Sequence, residues 1–273
     1  MPINPMFSLL TFNCFGGLNW TTPRRLRSLA RELQTLRPSI VCLQEVQSNL
    51  ALRLLLRLAG DYPTHAYLPG LSAPLGSLLT LAPAPLHSPH FTRYTTQAWL
   101  GPTIMDQLTQ KGMLMSRAQQ HGQPITVINT HLVANYRANW QPGSRAVHDQ
   151  QRQLHQLAAV VQEQAPETIV LVAGDFNIPR GSWLYEEFLE RSGLSDPLAG
   201  DTRPTYRPFP GVPARYALPI DFVFLRTPPG LRVQTTAELC FTEQCTYTSG
   251  GQGYLSDHAG VLVTLQWETQ QNQ

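Results

Sequence analysis

Acidic, amide and imidazole side chains stand beside short apolar runs of this sequence, most of them at or just past the end of a run and the others ahead of a late run. These residues are Asn13, Glu45, His131, Asp175, Asn177, Asp221, Asp257 and His258. Strand ends that meet at one edge of a sheet are where α/β proteins gather ligand-binding groups, so we expect these side chains to converge. Carboxylate and amide oxygens suit Mg²⁺, which takes few carboxylates and keeps several waters. The pattern therefore predicts a site for a divalent cation, Mg²⁺ or alternatively Mn²⁺.

Each of these residues has a simpler interpretation when it is taken alone. An Asp or Asn at a strand end, such as Asp175 or Asn13, is usually a helix cap or a turn former. An isolated histidine such as His131 is more often a surface or core residue, and Asp221 could pair with an arginine. Read together, these simpler interpretations require several independent coincidences. A functional site is therefore favoured.

Predicted strands and helices alternate along the chain. Apolar strands are predicted at residues 8–13, 40–43, 125–130, 169–173, 222–225 and 261–265. One helix is predicted to be capped by Thr22, with Pro23 at its first position, and another to start at Ser48 or Asn49. Two further helices are predicted over residues 147–164 and from the cap Ser182 to Phe188. This alternation indicates an α/β protein, although the pattern leaves the number of sheets open.

No repeat, low-complexity tract or linker divides the 273 residues, so we expect one domain over residues 1–273. The Pro- and Gly-rich segments 68–90 and 204–219 are predicted to be long surface loops. No apolar stretch approaches the ~18 residues of a membrane span, and no signal peptide is recognised. The sequence therefore predicts a cytoplasmic protein without a transmembrane segment, and we expect a monomer.

The charge balance does not indicate a nucleic-acid-binding surface. The formal net charge is +2, which is too small for a strong global field. Lys111 is the only lysine. The other basic residues are arginines, which can bind phosphate through two hydrogen bonds, although nucleotide bias explains the same usage. Cys14 and Cys42 are predicted to be buried thiols, whereas Cys240 and Cys245 are near enough in sequence for a local disulfide.

Six short segments occur in the order found in the endonuclease/exonuclease/phosphatase superfamily, which the chain resembles. They are Thr11-Phe12-Asn13, Leu43-Gln44-Glu45-Val46, Asn129-Thr130-His131-Leu132, Gly174-Asp175-Phe176-Asn177, Ile220-Asp221-Phe222-Val223 and Leu255-Ser256-Asp257-His258. One such segment would be weak evidence, but six in order are hard to reach by chance. The resemblance implies a DNase I-like α/β fold, a four-layer α/β/β/α sandwich with two packed mixed β-sheets flanked by helices. It also implies a metal-dependent phosphodiesterase that uses water as the nucleophile.

The resemblance implies a metal-binding role for three residues. Glu45 resembles the principal metal-binding carboxylate of the family, and Asn13 and Asp257 match positions that complete or adjoin the metal shell. The implied cofactor is Mg²⁺, with Mn²⁺ as the alternative. A cation suits this chemistry because a phosphodiester is anionic and repels hydroxide, so charge developing on the phosphoryl oxygens must be neutralised.

Five further residues match catalytic positions of the family. Asp175 and Asn177 match the pair that holds the attacking water and a phosphate oxygen, and His131 matches the imidazole that hydrogen-bonds the phosphoryl group. His258 resembles the catalytic histidine, and Asp221 resembles the carboxylate that orients it. An imidazole held by a carboxylate has a pKa near working pH. The sequence leaves open whether His258 or Asp175 accepts the proton of water.

Three segments resemble the neutral sphingomyelinases within the superfamily. They are residues 130–136 followed by Arg145, Lys111-Gly112 ahead of an apolar run, and residues 205–209. This likeness implies that Tyr136 and Arg145 contact the substrate and that the substrate is a phospholipid head group. Two alternatives stay open. One is a DNase I-like or deadenylase-like nuclease acting on nucleic acid, and the other is a non-catalytic binding module with the same fold.

Overall fold

The computed structural model describes residues 6–95 and 110–268. Its α-helices are α1 (Thr22–Leu36), α2 (Asn49–Leu58), α3 (Arg145–Gln162) and α4 (Trp183–Ser192). Its strands are β1 (Met6–Asn13), β2 (Ile40–Gln44), β3 (Thr64–Ala66), β4 (Leu79–Ala82), β5 (His87–Arg93), β6 (Gly112–Gln120), β7 (Gln123–His131), β8 (Ile169–Asp175), β9 (Asp221–Arg226), β10 (Val233–Cys240), β11 (Cys245–Thr246), β12 (Gln252–Gly253) and β13 (Gly260–Trp267). Short 3₁₀ helices lie at Leu75–Ser77 and Ala214–Tyr216.

Most of these strands belong to two mixed sheets. A six-stranded sheet has the order β10-β13-β1-β2-β4-β3, and a five-stranded sheet has the order β5-β6-β7-β8-β9. Each of these sheets contains one parallel pair, β1 with β2 and β7 with β8. The other strand pairs are antiparallel. The strands β11 and β12 form a separate two-stranded sheet.

The two large sheets pack face to face, because successive side chains of a strand point to opposite faces. In β1, Leu9 is buried between the sheets, whereas Leu10 is buried with the apolar residues of α1 and α2. In β8, Leu171 is buried between the sheets, whereas Val170 is buried with the apolar residues of α3 and α4. The result is a four-layer α/β/β/α sandwich, which confirms the predicted fold.

One edge of this sandwich collects the polar residues that the sequence singled out. Parallel pairing brings the carboxyl ends of β1 and β2 together, and likewise those of β7 and β8. Asn13, His131 and Asp175 are the last residues of β1, β7 and β8. Strand β9 runs antiparallel to β8, so it starts where β8 ends, and Asp221 pairs with Asp175 in register. Strand direction therefore accounts for the convergence.

The prediction of a surface loop over residues 68–90 is wrong in part. Residues Leu79–Ala82 form the buried strand β4, which pairs with β2 and β3. Four residues between Pro-rich segments are too few for a periodic pattern to stand out. Strand β5 also begins in this segment and is largely exposed, whereas β10 alternates between half-buried and exposed residues. Segment 204–219 contains one 3₁₀ turn and otherwise no regular element.

Helix boundaries differ slightly from the predicted ones. Thr21 is the N-cap position of α1, and the Thr22 hydroxyl instead donates to the backbone oxygen of Gly17 at 2.7 Å. Ser48 and Ser182 cap α2 and α4 through their side chains, as predicted. Helix α3 begins earlier and α4 ends later than predicted. The caps were predictable because their hydrogen bonds are local in sequence.

The cysteines are all free thiols, so the suggested disulfide between Cys240 and Cys245 is not formed. Cys14 and Cys42 are fully buried, as predicted, and burial raises the pKa of each thiol to about 12. Such thiols are poor nucleophiles because the reactive form is the thiolate. Within the described ranges, no helix is long and apolar enough to cross a membrane.

Candidate active site

A cleft of about 560 Å³ opens at the edge of the sandwich where the predicted site residues meet. It is lined by Glu45, His131, Asp175, Asn177, Asp257 and His258, among others. Asn13 and Asp221 are almost completely buried and hydrogen-bond to Asp175 and His258, respectively. The structure therefore brings together all eight residues that the sequence placed at strand ends.

His258 is held in place by Asp221. The Nδ1 atom of His258 lies 2.9 Å from Oδ2 of Asp221, which is completely buried. The hydroxyl of Thr205 accepts hydrogen bonds at 3.0 Å from the backbone N–H groups of Ile220 and Asp221, and so fixes the start of β9. Burial acts to lower the pKa of His258, but Asp221 and Asp175 outweigh it and raise the pKa well above its usual value. The second ring nitrogen is left directed at Asp175.

The carboxylate of Asp175 lies among three polar side chains. Its Oδ2 atom accepts a hydrogen bond from Asn13 Nδ2 at 3.0 Å, and lies 3.3 Å from His131 Nε2 and 3.8 Å from His258 Nε2. Burial acts to raise the pKa of Asp175, but positive charge on His131 and His258 outweighs it and holds the pKa below its usual value. Asp175 is therefore a carboxylate at neutral pH and a weak base.

Asn177 is fixed beside Asp175 by its own backbone. Its φ of 52° is left-handed, a conformation that Asn tolerates better than most residues. Its N–H donates to Asp175 Oδ1 at 3.0 Å, and its side-chain amide donates to the backbone oxygen of Leu132 at 3.1 Å. Gln150 of α3 donates to the backbone oxygen of Asn177 at 2.8 Å. Helix α3 thus supports the loop that carries Asn177.

Lys111, the only lysine of the chain, lies against His131 with Nζ 2.8 Å from Nε2. An ammonium group only donates hydrogen bonds, so Nε2 of His131 accepts when it carries no proton. The same Nε2 atom lies 3.3 Å from Asp175 Oδ2. Lys111 and His131 both line the cleft. They place donors and positive charge where an anionic group would bind.

Glu45 and Asp257 face the same cleft, and neither forms an ion pair within the described ranges. Burial is the main cause of a raised pKa of Asp257, and the negative charge of Glu45 adds to it. Carboxylates that share a cleft and form no ion pair suit a hard divalent cation. Asn13 Oδ1 accepts the N–H of Phe15 at 3.1 Å and keeps a second lone pair. These residues fit a Mg²⁺ or Mn²⁺ ion.

A second set of potential metal ligands consists of Asp175, Asp221 and His258, whose ligand atoms lie within 4.8 Å of one another. Their hydrogen-bond geometry argues against a metal there. Nδ1 of the imidazole contacts Asp221, and Nε2 faces Asp175. Nδ1 is therefore not free to bind a metal, and Nε2 is the one ring nitrogen left to exchange a proton with a group in the cleft. Glu45 and Asp257 are the other candidate ligands of a cation in the cleft.

Arg25 supports the site, although the sequence gives little sign of this role. Its guanidinium donates to the backbone oxygens of Cys14, Phe15 and Leu255 at 2.6–3.0 Å. It thereby ties the segment after β1 to the segment before β13, which carries Asp257. The one available signal is that Arg25 belongs to the buried residues of α1, among leucines.

The two predicted substrate contacts lie in different places. Tyr136 lines the cleft and is 56% exposed. Arg145 does not line the cleft, and its side chain is 71% exposed and 4.0 Å from Asp149. Arg145 is the first residue of α3, directly after the capping Ser144, and a first-turn side chain there extends into solvent. The structure therefore gives Arg145 no contact with the cleft.

The four-layer sandwich and the acids and histidines at its edge define a DNase I-like protein. The model of the Endonuclease/Exonuclease/phosphatase family matches residues 10–258. The chain therefore belongs to this family, whose members are phosphoesterases. No sequence among the curated proteins matches the chain.

Solved structures share this fold at low sequence identity. Sphingomyelinase C from Streptomyces griseocarneus is 23% identical, with 95% of this chain and 99% of that chain covered and a TM-score of 0.71. D. rerio TDP2, complexed with single strand DNA product, is 19% identical, with 95% and 98% covered and a TM-score of 0.72. Beta toxin from Staphylococcus aureus, with bound magnesium ions, is 17% identical, with 97% and 100% covered and a TM-score of 0.74. At these identities the likeness shows the fold alone.

Proposed function

We propose that this protein is a Mg²⁺-dependent phosphodiesterase, with Mn²⁺ as the alternative ion, and that residues 1–273 form one catalytic domain. The observation that carries the proposal is the imidazole of His258, which lies between Asp221 and Asp175 in a cleft that also contains Glu45 and Asp257. Water attack on a phosphodiester needs a proton acceptor and charge neutralisation within one cleft. This arrangement provides both.

Different residues of the cleft bind the cation and the phosphoryl group of the substrate. Glu45 and Asp257 would hold the cation, with Asn13 beside them, and the bound cation supplies charge neutralisation at the phosphoryl oxygens. Lys111 and His131 donate hydrogen bonds to a phosphoryl oxygen. The preorganised donors cost little reorganisation during the reaction, since hydrogen bonds within the site already hold His131 and Asp175.

The reaction forms a bond from a water oxygen to phosphorus and breaks the bond from phosphorus to the leaving oxygen. In the molecules whose Nε2 is unprotonated, His258 accepts the proton of water at this nitrogen, because Asp221 occupies Nδ1 and fixes the ring orientation. Asp175 is the weaker candidate base, since its pKa is held below the usual value. It stabilises the imidazolium of His258 by charge and, with Asn177, orients the attacking water.

The finer proposal is a sphingomyelinase-like activity on a phospholipid head group. Tyr136, Trp140, Phe209 and Tyr216 line the cleft, whereas Lys111 is the only Lys or Arg among its described lining residues. Aromatic faces attract quaternary ammonium groups such as choline. A protein that neutralises many nucleic-acid phosphates needs several basic contacts. The shared fold of the Streptomyces griseocarneus sphingomyelinase C supports the same choice.

The test compares substrates and a variant of the metal site. Choline-phosphate release from sphingomyelin micelles, nicking of supercoiled plasmid and cleavage of single-stranded RNA are measured with Mg²⁺ and with excess chelator. We expect lipid turnover that chelator abolishes. Glu45→Gln should lose most of this activity and keep its circular dichroism spectrum, whereas the exposed Glu190→Gln should behave as wild type. Undiminished turnover in chelator or in Glu45→Gln would refute the metal assignment.

A second candidate function is that of a nuclease. It is supported by the shared fold of D. rerio TDP2, whose structure was determined with a single strand DNA product. Efficient nicking or RNA cleavage without lipid turnover would assign the protein to this branch and leave the proposed metal site unchanged. Absence of turnover with every substrate and with both ions would instead indicate a non-catalytic binding module.

A further inference from the structure

A second pocket, of about 500 Å³, adjoins the active-site cleft. We call it the side pocket, and its lining includes Phe15, Arg25, Arg207, Pro208, Phe209, Pro210 and Tyr254. It shares Phe209 and Asp257 with the cleft. We propose that the side pocket binds the hydrocarbon chain of the alcohol that leaves when the phosphodiester is hydrolysed. This inference rests on the proposed function and adds a binding site for one part of the substrate.

Aromatic rings and prolines form much of the wall of the side pocket, and Asn19, Thr21, Ser256 and Asp257 add polar groups. The rings of Phe15 and Phe209 pack at a centroid distance of 6.0 Å, and Phe209 separates the side pocket from the cleft. Phe209 is 50% exposed and Tyr254 is 38% exposed. Two prolines complete the apolar wall. Clustered large apolar groups that stay exposed beside a cleft are typical of a ligand-binding surface.

The two arginines of the side pocket contribute few free donors. Arg25 directs its five N–H groups at three backbone oxygens and at the hydroxyls of Thr21 and Thr22. Arg207 donates to the backbone oxygens of Ser256, His258 and Phe241. With these donors already engaged, the side pocket suits a hydrocarbon better than a second phosphate or the polar edge of a nucleobase.

The arginine side chains also complete the apolar lining. The Arg207 guanidinium lies 4.5 Å from the centroid of Tyr254, and that of Arg25 lies 5.2 Å from the centroid of Phe15. Stacked guanidinium groups keep both rings in place. The rings of Phe15 and Tyr254 are thus held as walls even before a ligand binds.

His131, Asp175 and Asn177 line the cleft but do not border the side pocket. Asp257 lines both. In an in-line displacement, the leaving oxygen lies opposite the attacking water. With water held at Asp175, the leaving oxygen points toward the end that contains Asp257. The step consumes one water, transfers one of its protons to His258, and releases the alcohol after its oxygen takes up a proton.

The first test varies the length of the leaving chain. Methyl, butyl, hexyl and octyl esters of phosphocholine are compared below their micelle concentrations by kcat/KM. Full burial of each methylene is worth up to about fourfold in binding, so kcat/KM should rise steeply with chain length. In Tyr254→Ala the octyl-to-methyl ratio should fall at least tenfold, whereas Tyr254→Phe should keep it. Leu71→Ala, a fully exposed residue outside both pockets, is the neutral control.

A second test needs no catalysis. Titration of the metal-free protein with 1-octanol by calorimetry should show binding that weakens at least tenfold in Tyr254→Ala and is retained in Tyr254→Phe. A flat chain-length profile together with no octanol binding would overturn the side-pocket proposal, although phosphodiester turnover would continue. Octanol binding without turnover of any phosphodiester would instead refute the proposed function.

Discussion

Two groups of buried polar side chains lie next to each other along the same strands. We call the first the inter-sheet network, formed by Thr11, Gln44, Thr80 and Asn129. Asn129 accepts from Gln44 Nε2 at 2.8 Å and donates to the backbone oxygens of Leu43 and Leu79 at 3.2 and 3.1 Å. Its members are neutral, and none lines a pocket described above. The second group is the catalytic cluster of Asp175, Asp221, His131 and His258, which is charged and reaches the cleft.

Two motifs contribute one residue to the inter-sheet network and another residue to the cleft. In the first motif, Gln44 belongs to the inter-sheet network and Glu45 faces the cleft. In the second motif, Asn129 belongs to the network and His131 faces the cleft. A buried neutral amide is tolerated when its partners are all within the protein, whereas buried charges need counter-charges. We infer that the amides hold the sheets in register and that the next residues along the chain perform the chemistry.

The largest effect is expected when His258 is changed. In His258→Asn the amide can still donate toward Asp221, so the buried carboxylate keeps a partner. Turnover should nevertheless fall about 10²–10⁴-fold, because general acid–base catalysis is lost. The melting temperature should change by only a few degrees. Steady-state kinetics with the best substrate, together with thermal unfolding, would check this. Turnover within tenfold of wild type would show that His258 is not the base.

The sequence predicted the catalytic cluster better than its surroundings. Asp175, Asp221 and His258 stand at strand ends, so their convergence follows from strand direction. The role of Arg25 depends in part on Leu255, which lies 230 residues further along the chain. No local sequence pattern reveals such a contact. The wall around Phe209 belongs to a segment without regular structure, whose path depends on tertiary contacts.

The next largest effect is expected in the inter-sheet network and should concern stability rather than activity. Asn129→Ala removes donors to two backbone oxygens and the acceptor of Gln44. Each buried polar group left without a partner costs about 1–3 kcal/mol, so the free energy of unfolding should fall by roughly 2–4 kcal/mol. Urea unfolding measures this loss.

The comparison of the two groups predicts that Asn129→Ala keeps its turnover per folded molecule. Gln119→Ala, which removes an exposed amide, is the matched control and should change the free energy of unfolding by less than about 0.5 kcal/mol. If Asn129→Ala were stable yet inactive, the inter-sheet network would belong to the active site and the distinction between the two groups would fail.

A third polar group, on the outside of α3 and α4, shows what charge contributes when it is accessible to solvent. Glu187 lies 2.9 Å from both Gln151 Nε2 and His155 Nε2, and 3.7 Å from Arg191. Burial acts to raise the pKa of Glu187, but the hydrogen bonds from Gln151 and His155 outweigh it and lower the pKa below its ordinary value of 4.5. The side chains of Glu187 and His155 are 27% and 36% exposed.

The smallest effect is therefore expected for Glu187→Gln. A carboxyl with a depressed folded-state pKa stabilises the protein above its unfolded-state pKa, and this contribution is lost as pH falls through the folded-state pKa. At neutral pH the substitution should cost only about 0.2–1 kcal/mol, because solvent screens the pair. The difference from wild type should shrink as pH falls below 4.5, since the wild-type carboxylate then becomes protonated. Urea unfolding of both proteins across this range measures it. A loss as large as that of Asn129→Ala would mean that charge on the helices, rather than burial between the sheets, holds this sandwich together.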